Sequence, residues 1–243
     1  MATNNLFSVE FFELQLRFAA KVAEVSGIPF TDAVGNYTNI YVRLGMGHRF
    51  NPTNRDWLGY VTELANVREH ARLTHSIHRQ RIHLSTGPTA AATVGCFSYA
   101  LAGSDHVRLH FNAGDHLLES PLSLANRAVR QVELAILLSQ LKETAGENVH
   151  VVGASWLYNL DCYRRLFPEA YLASLQVVNH PYQRMPLWGQ FLNRDRSVRS
   201  EGGSRFLATV AKACSLPELA LCFPFPVLST TAPARWFHDH VSQ

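Results

Sequence analysis

The chain has 243 residues, enough for one large domain or two small ones, and its 47% hydrophobic and 17% charged residues are the balance of an ordinary globular protein. A net charge of +3 and a pI near 8.8 are too mild to argue for nucleic acid, and no apolar run approaches the roughly 20 residues that a membrane span requires. No basic residue precedes an apolar block at the start, so no secretory leader is expected; Cys96, Cys162, Cys214 and Cys222 show no close pairing and read as reduced thiols of a cytoplasmic protein.

The first 66 residues read as a helical region. Phe11, Leu14, Phe18, Val22 and Val25 recur at three- and four-residue steps after Ser8, and Gly27 with Pro29 should stop that helix. Phe30, Val34, Tyr37, Tyr41 and Leu44 form the stripe of a second helix, and Asn51-Pro-Thr-Asn54 opens a third that carries Trp57, Val61 and Leu64. From Val67 to Pro88 no apolar period holds. This stretch carries Arg68, Arg72, Arg79 and Arg81 with Glu69 as the single acidic neighbour, and Arg68 to His83 is expected to be a mobile border of a cleft that recruits an anionic substrate or carrier.

Thr93–Leu101 and His106–Phe111 read as hairpin strands around Ala102-Gly-Ser-Asp105, with Val107, Leu109 and Phe111 facing one way and His106, Arg108 and His110 the other. Ser120-Pro121 should start a long helix whose wide apolar face, Leu124, Val129, Val132, Ile136, Leu137 and Leu141, implies heavy burial. Val149–Ala154 is short and β-branched enough for a buried strand. It runs across Gly153-Ala-Ser155 into a segment ending at Pro168, so Ser155, Tyr158 and Asn159 stand at a strand's carboxyl end, where open α/β sheets bind ligands. Tyr171–Val178 and Leu187–Leu192 read as further strands, Ser204–Ala213 as a helix, and residues 200–243 as a helical tail. The expected class is α/β (α+β): one domain over 1–243, its helical N-terminal region packed on a mixed sheet flanked by helices, with the core between 93 and 199.

The order of elements from Thr93 to Arg199 resembles the GNAT acyltransferase superfamily, in which a strand, a pantetheine-binding helix, a strand, a helix and a final pair of strands follow one another. Tyr163-Arg-Arg-Leu-Phe-Pro168 is similar to the Tyr-x-x-x-Gly-Phe helix end of that family, with Phe167 in the glycine's place. The loop Asn112–Ser120 lacks the family's Arg/Gln-x-x-Gly-x-Gly/Ala phosphate cradle. The resemblance implies acyl transfer from a CoA thioester or a phosphopantetheine arm, the latter on an acyl carrier protein, to a small-molecule substrate. It implies a GNAT-like sheet, Val107–Phe111 as the strand along which the carrier lies and Leu122–Lys142 as the helix receiving its pyrophosphate. In that site His110 or His106 is the base, Tyr163 is the acid for the leaving thiolate, and Arg108, Ser155, Tyr158 and Asn159 contact substrate.

The chain is also histidine-rich, with 12 in all, and His70, His75, His78 and His83 fall in the arginine-bearing stretch. With His106, His110 and His116, and with Asp105 or Asp115 nearby, they offer ligands for a divalent metal, which makes a histidine-ligated metal enzyme the second reading. No His-Glu-x-x-His or facial-triad signature is present. Ser155 precedes Leu157 where a nucleophile elbow needs a small residue, so a triad with Asp195 and His238 or His240 is disfavoured and Ser155 is expected to cap the helix that follows. A third reading is a non-catalytic binding protein on a degenerate acyltransferase fold.

Overall fold

The computed structural model describes residues 6–84, 90–112, 120–178 and 187–237. In chain order the first elements are helices α1 (Val9–Ser26), α2 (Phe30–Tyr37), α3 (Ile40–Arg43), α4 (Arg55–Ala65) and α5 (His70–Arg81). Strands β1 (Ala92–Val94), β2 (Phe97–Leu101) and β3 (His106–Phe111) follow, then α6 (Arg127–Ala145) and β4 (His150–Ser155). The remainder is α7 (Asp161–Arg164), α8 (Glu169–Leu172), β5 (Gln176–Val177), α9 (Ser200–Lys212), α10 (Leu216–Leu221) and β6 (Leu228–Pro233). The protein is a mixed α/β chain. No described helix is long and apolar enough to cross a membrane.

Two compact units interleave along the sequence: residues 1–86 with 180–224, and residues 87–179 with 225–243. The first is helical and organised around α1. Phe11, Phe12, Phe18 and Val22 are fully buried on it, and the Phe18 ring meets Trp188 at 5.5 Å and Phe223 at 5.3 Å. Each such side chain withdrawn from water stabilises by roughly 2 kcal/mol. The second predicted helix is broken in two at Thr38–Asn39: the Thr38 hydroxyl donates to Val34 O at 2.6 Å, and Asn39 N–H donates to Gln15 Oε1 at 2.9 Å.

The stretch from Arg68 to His83, expected as a mobile border, holds α5, which packs on α1. Its buried residues are Thr74 and His78, so polar bonds stand where an apolar stripe would show. The Thr74 hydroxyl meets Tyr60 Oη at 2.9 Å, and Arg81 Nε donates to Leu44 O at 2.8 Å. Arg81 also pairs with Asp56 at 2.6 Å and Arg72 with Glu69 at 3.3 Å, so two of the arginines are neutralised locally.

The second unit is built on a six-stranded sheet of order β1-β2-β3-β4-β6-β5. All pairs are antiparallel except β3 and β4, which α6 joins as a crossover. Leu134, Leu137, Leu138 and Leu141 of α6 share one core cluster with Phe97, Tyr99, Val107, Leu109 and Val151. The alternation in β3 therefore sets the sheet's two faces as the sequence indicates, with His106, Arg108 and His110 on the face away from that cluster.

Several elements differ from expectation. The predicted Thr93–Leu101 strand turns at Gly95-Cys96 into β1 and β2; Gly95 has φ +54° and a side chain there would overlap the Glu133 carboxylate, which accepts from Cys96 N–H at 3.0 Å and pairs with Arg130 at 2.6 Å. Helix α6 starts at Arg127, not at Ser120-Pro121, and only Arg130 and a narrow leucine stripe are buried; Val129, Val132 and Ile136 are 49%, 58% and 45% exposed. Of Tyr171–Val178 only Gln176–Val177 is strand. Leu187–Phe191 is a 3₁₀ turn that buries Leu187, Trp188, Gln190 and Phe191, a pattern of adjacent rather than alternate burial that a strand cannot give. The final strand of the sheet is β6, in the stretch read as a helical tail.

Candidate functional site

Strands β3 and β4 pair at His106↔His150, Val107↔Val151 and Arg108↔Val152, and no further. Both continue: β3 remains paired with β2 as far as Phe111↔Phe97, and β4 with β6 as far as Ser155↔Leu228. The sheet thus parts along a single seam, leaving the facing edges of Leu109–Phe111 and Gly153–Ser155 without a ladder between them. Backbone N–H and C=O groups at such a seam are ready donors and acceptors for an extended ligand.

On the α6 side, Gly153 is covered by two phenol hydroxyls. A methyl at this position would overlap both Tyr158 Oη and Tyr171 Oη, so only glycine fits. Those hydroxyls bond each other at 2.9 Å, and the rings of Tyr158, Tyr163 and Phe167 pack edge to face or tilted at 5.0 to 5.6 Å. Burial drives the phenol pKa of Tyr158, Tyr163 and Tyr171 far up, so all three keep their protons.

On the opposite side lie the histidines. His106 stacks on His150 across the paired part of the seam, with centroids 5.3 Å apart and planes 26° off parallel, and its Nδ1 bonds Asp105 Oδ1 at 2.7 Å. His110 stands beside the parted section; its Nε2 is buried without a protein partner, as is His150 Nδ1. Burial, aided by Arg108, pushes the His110 pKa down and keeps the imidazole neutral.

The sequence-derived site residues are therefore divided by the sheet. Tyr158 and Tyr163 sit in the core with α6, while His106, Arg108 and His110 occupy the other face, so the two sets do not meet around one open cleft. Tyr163 is buried within the aromatic cluster, and the hydroxyls that reach Gly153 are those of Tyr158 and Tyr171. Ser155 caps the following turn, its Oγ accepting from Leu157 N–H at 3.1 Å. Asn159 spends its amide on Trp156 O at 2.7 Å and Pro226 O at 2.9 Å, a pinning role.

Sequence reading missed Gly153 and Tyr171; the signal for Gly153 was a glycine inside a strand, which marks a bulge or a close approach. At the start of α6 a small cavity of about 80 Å³ is lined by Pro121, Leu122, Arg127, Arg130, Cys162 and Arg165.

In the helical unit His75 and His78 do share a helix face, with ring centroids 6.3 and 5.3 Å from Phe12, and His70 stacks on Phe30 at 5.5 Å. The described residues contain no group of three or more His, Cys, Asp or Glu side chains placed to hold a metal. Asp195 belongs to the helical unit and accepts from Ser197 N–H at 3.0 Å. Asp115, His116, His238 and His240, and most of the Asn112–Ser120 loop, lie outside the described residues. No family model, curated protein or solved structure matched the chain.

Proposed function

We propose that the sheet unit is a thioester-dependent acyl-transfer catalyst of GNAT-like architecture, fed by CoA or a carrier-borne phosphopantetheine arm. The observation that carries this reading is the parted β3–β4 seam: two parallel strands joined by a long helix and paired over three positions before they separate. An extended amide-bearing arm can enter such a seam and take up the free backbone groups of both strands.

In this reading the acyl thioester lies along the parted edges of β3 and β4 and the nucleophile comes from the histidine side. Neutral His110 takes the proton of an amine or hydroxyl as it attacks the thioester carbonyl. The C–S bond then breaks, and the leaving thiolate receives a proton from the tyrosine cluster, through Tyr158 at Gly153 with Tyr163 behind it. Arg127 at the start of α6 and Arg165 after α7, which line one small cavity, suit the phosphates of the arm. The acceptor belongs to the class of small amines or alcohols.

The test is thermal shift of the full chain with coenzyme A and acetyl-CoA, together with release of free thiol from acetyl-CoA over a panel of amines. Ligand at a hundred times its dissociation constant stabilises by about 2.7 kcal/mol. The expected result is a saturable rise in Tm with both ligands, and turnover that falls about a hundredfold or more in His110→Gln while the CoA shift is kept. A CoA shift with no turnover supports the non-catalytic binding protein. No shift and no thiol release, alongside a stoichiometric metal, reverses the ranking in favour of the histidine-ligated enzyme.

A further inference from the structure

We propose that the outer face of α6 is a self-association surface, on which a second copy of this chain packs its own α6 antiparallel across a two-fold axis. The helix carries apolar residues on two sides. Leu134, Leu137, Leu138 and Leu141 enter the core of the sheet unit. Val132 stands two residues before Leu134, about 200° around a helix of 3.6 residues per turn, and so lies on the side away from that core. Val129 and Ile136 share this outer side, and all three are exposed. The charged residues nearest to it are already engaged: Glu133 pairs with Arg130 at 2.6 Å, and Lys142 pairs with Glu147. A surface helix ordinarily turns a polar face to water, and contiguous apolar side chains left there mark a contact surface.

The charges at the two ends of the helix select the occupant. Glu143 is exposed at the C-terminal end of the face and makes no hydrogen bond or ion pair with a described residue. The other end has the opposite polarity. Its N-cap, Asn126, gives the helix no side-chain bond, and the first turn holds no acidic residue. A carboxylate is stabilising at a helix N-terminus, and opposed helix dipoles attract. A two-fold axis level with Leu134 sets Val132 of one copy against Ile136 of the other, and brings each Glu143 level with the start of the partner helix. The face is complementary to itself in charge as well as in apolar character, as an isologous contact requires. A parallel pair would instead set the two Glu143 carboxylates side by side.

The spacing of the small residues fits the same arrangement. Ala128, Val132, Ala135 and Ser139 follow one another at steps of four, three and four, the seam spacing of paired helices. Alanine and serine at three of these positions let two helix axes approach to about 8 Å, the short end of the packing range. Val129 and Ile136 then flank the seam and cover it from the side. With 19 residues, α6 offers a contact about 28 Å long at 1.5 Å per residue. The contact uses the outer side of the helix alone, so it does not rest on the thioester reading of the β3–β4 seam.

The experiment is sedimentation velocity of the full chain over about a hundredfold range of concentration, across which the wild type should pass from monomer to dimer. Val132→Glu and Ile136→Glu each bring like charges into the middle of the contact and should weaken dimerisation at least about a hundredfold. Both positions are exposed in the single chain, so an unchanged far-ultraviolet circular dichroism spectrum is expected. Val132→Ala, which favours the helix and only trims the contact, guards against a folding defect and should weaken the dimer about tenfold. Glu143→Gln should weaken it roughly three- to thirtyfold, because two charge contacts with helix ends are lost. Tighter association in Glu143→Gln would indicate the parallel pair and overturn the proposal. So would a monomer at every concentration, or a dimer that persists in both Val132→Glu and Ile136→Glu, which would place the contact on another surface.

Discussion

The two faces of the sheet treat their polar side chains in opposite ways. Toward α6, the hydroxyls of Tyr158 and Tyr171 close on each other over Gly153, and Thr230 and Ser174 bond each other at 2.7 Å. Away from α6, His110 Nε2 and His150 Nδ1 are buried without protein partners. A closed network adds rigidity and fixes one packing, because opening any member leaves another unsatisfied. An open set keeps its bonding capacity for something outside the chain. One face thus holds the seam in shape with its hydroxyls already paired, and the other keeps buried imidazole nitrogens without protein partners.

The hardest blow to the closed face is Gly153→Ala. The added methyl must displace two buried hydroxyls, so a loss of about 3 kcal/mol is expected, read as a lower midpoint in urea with the slope unchanged. A smaller effect separates structure from chemistry. Tyr158→Phe and Tyr171→Phe should each cost about 1–3 kcal/mol by orphaning the other hydroxyl, while the double variant should lose clearly less than the sum. Additive losses would show that the hydroxyls do not depend on one another.

The open face supplies the smallest effect, through pH. His110 has its pKa lowered in the folded chain, chiefly by burial and then by Arg108, so the unfolded chain binds the proton more readily. The stability that comes from keeping this ring neutral is present above the unfolded value near 6.5 and is lost as pH falls below it. Melting temperature should therefore drop as pH falls below about 6.5, and His110→Gln should flatten part of that fall. His75 and His78 share the direction of shift, so the flattening is partial.

Period-two alternation in β3 made the two faces legible from the sequence: Val107, Leu109 and Phe111 against His106, Arg108 and His110. The apolar run at Val149 likewise located β4 as a strand inside the sheet. What alternation cannot say is on which side of a sheet the next connection leaves. Tyr158 and Tyr163 were therefore read as partners of the histidines, whereas the turn after Ser155 carries them into the α6 core. Helix α5 escaped because its inward positions are Thr74 and His78, held by hydrogen bonds that leave no hydrophobic period. Strand β6 escaped because Leu-Ser-Thr-Thr-Ala-Pro presents little apolar character and pairs with a strand distant in sequence.

That remote pairing sets a schedule for the chain as it is made. Strand β6 lies between β4 and β5 and is antiparallel to both, so β4 has no neighbour on that side until residues 228–233 have emerged. The intervening segment 180–224 belongs to the helical unit, whose first part was synthesised before any of the sheet. Neither unit can finish before most of the other exists. During that interval the bare edge of β4, Val151 and Val152 included, is open to strand exchange with other nascent copies, which makes production sensitive to chaperone supply and to translation rate.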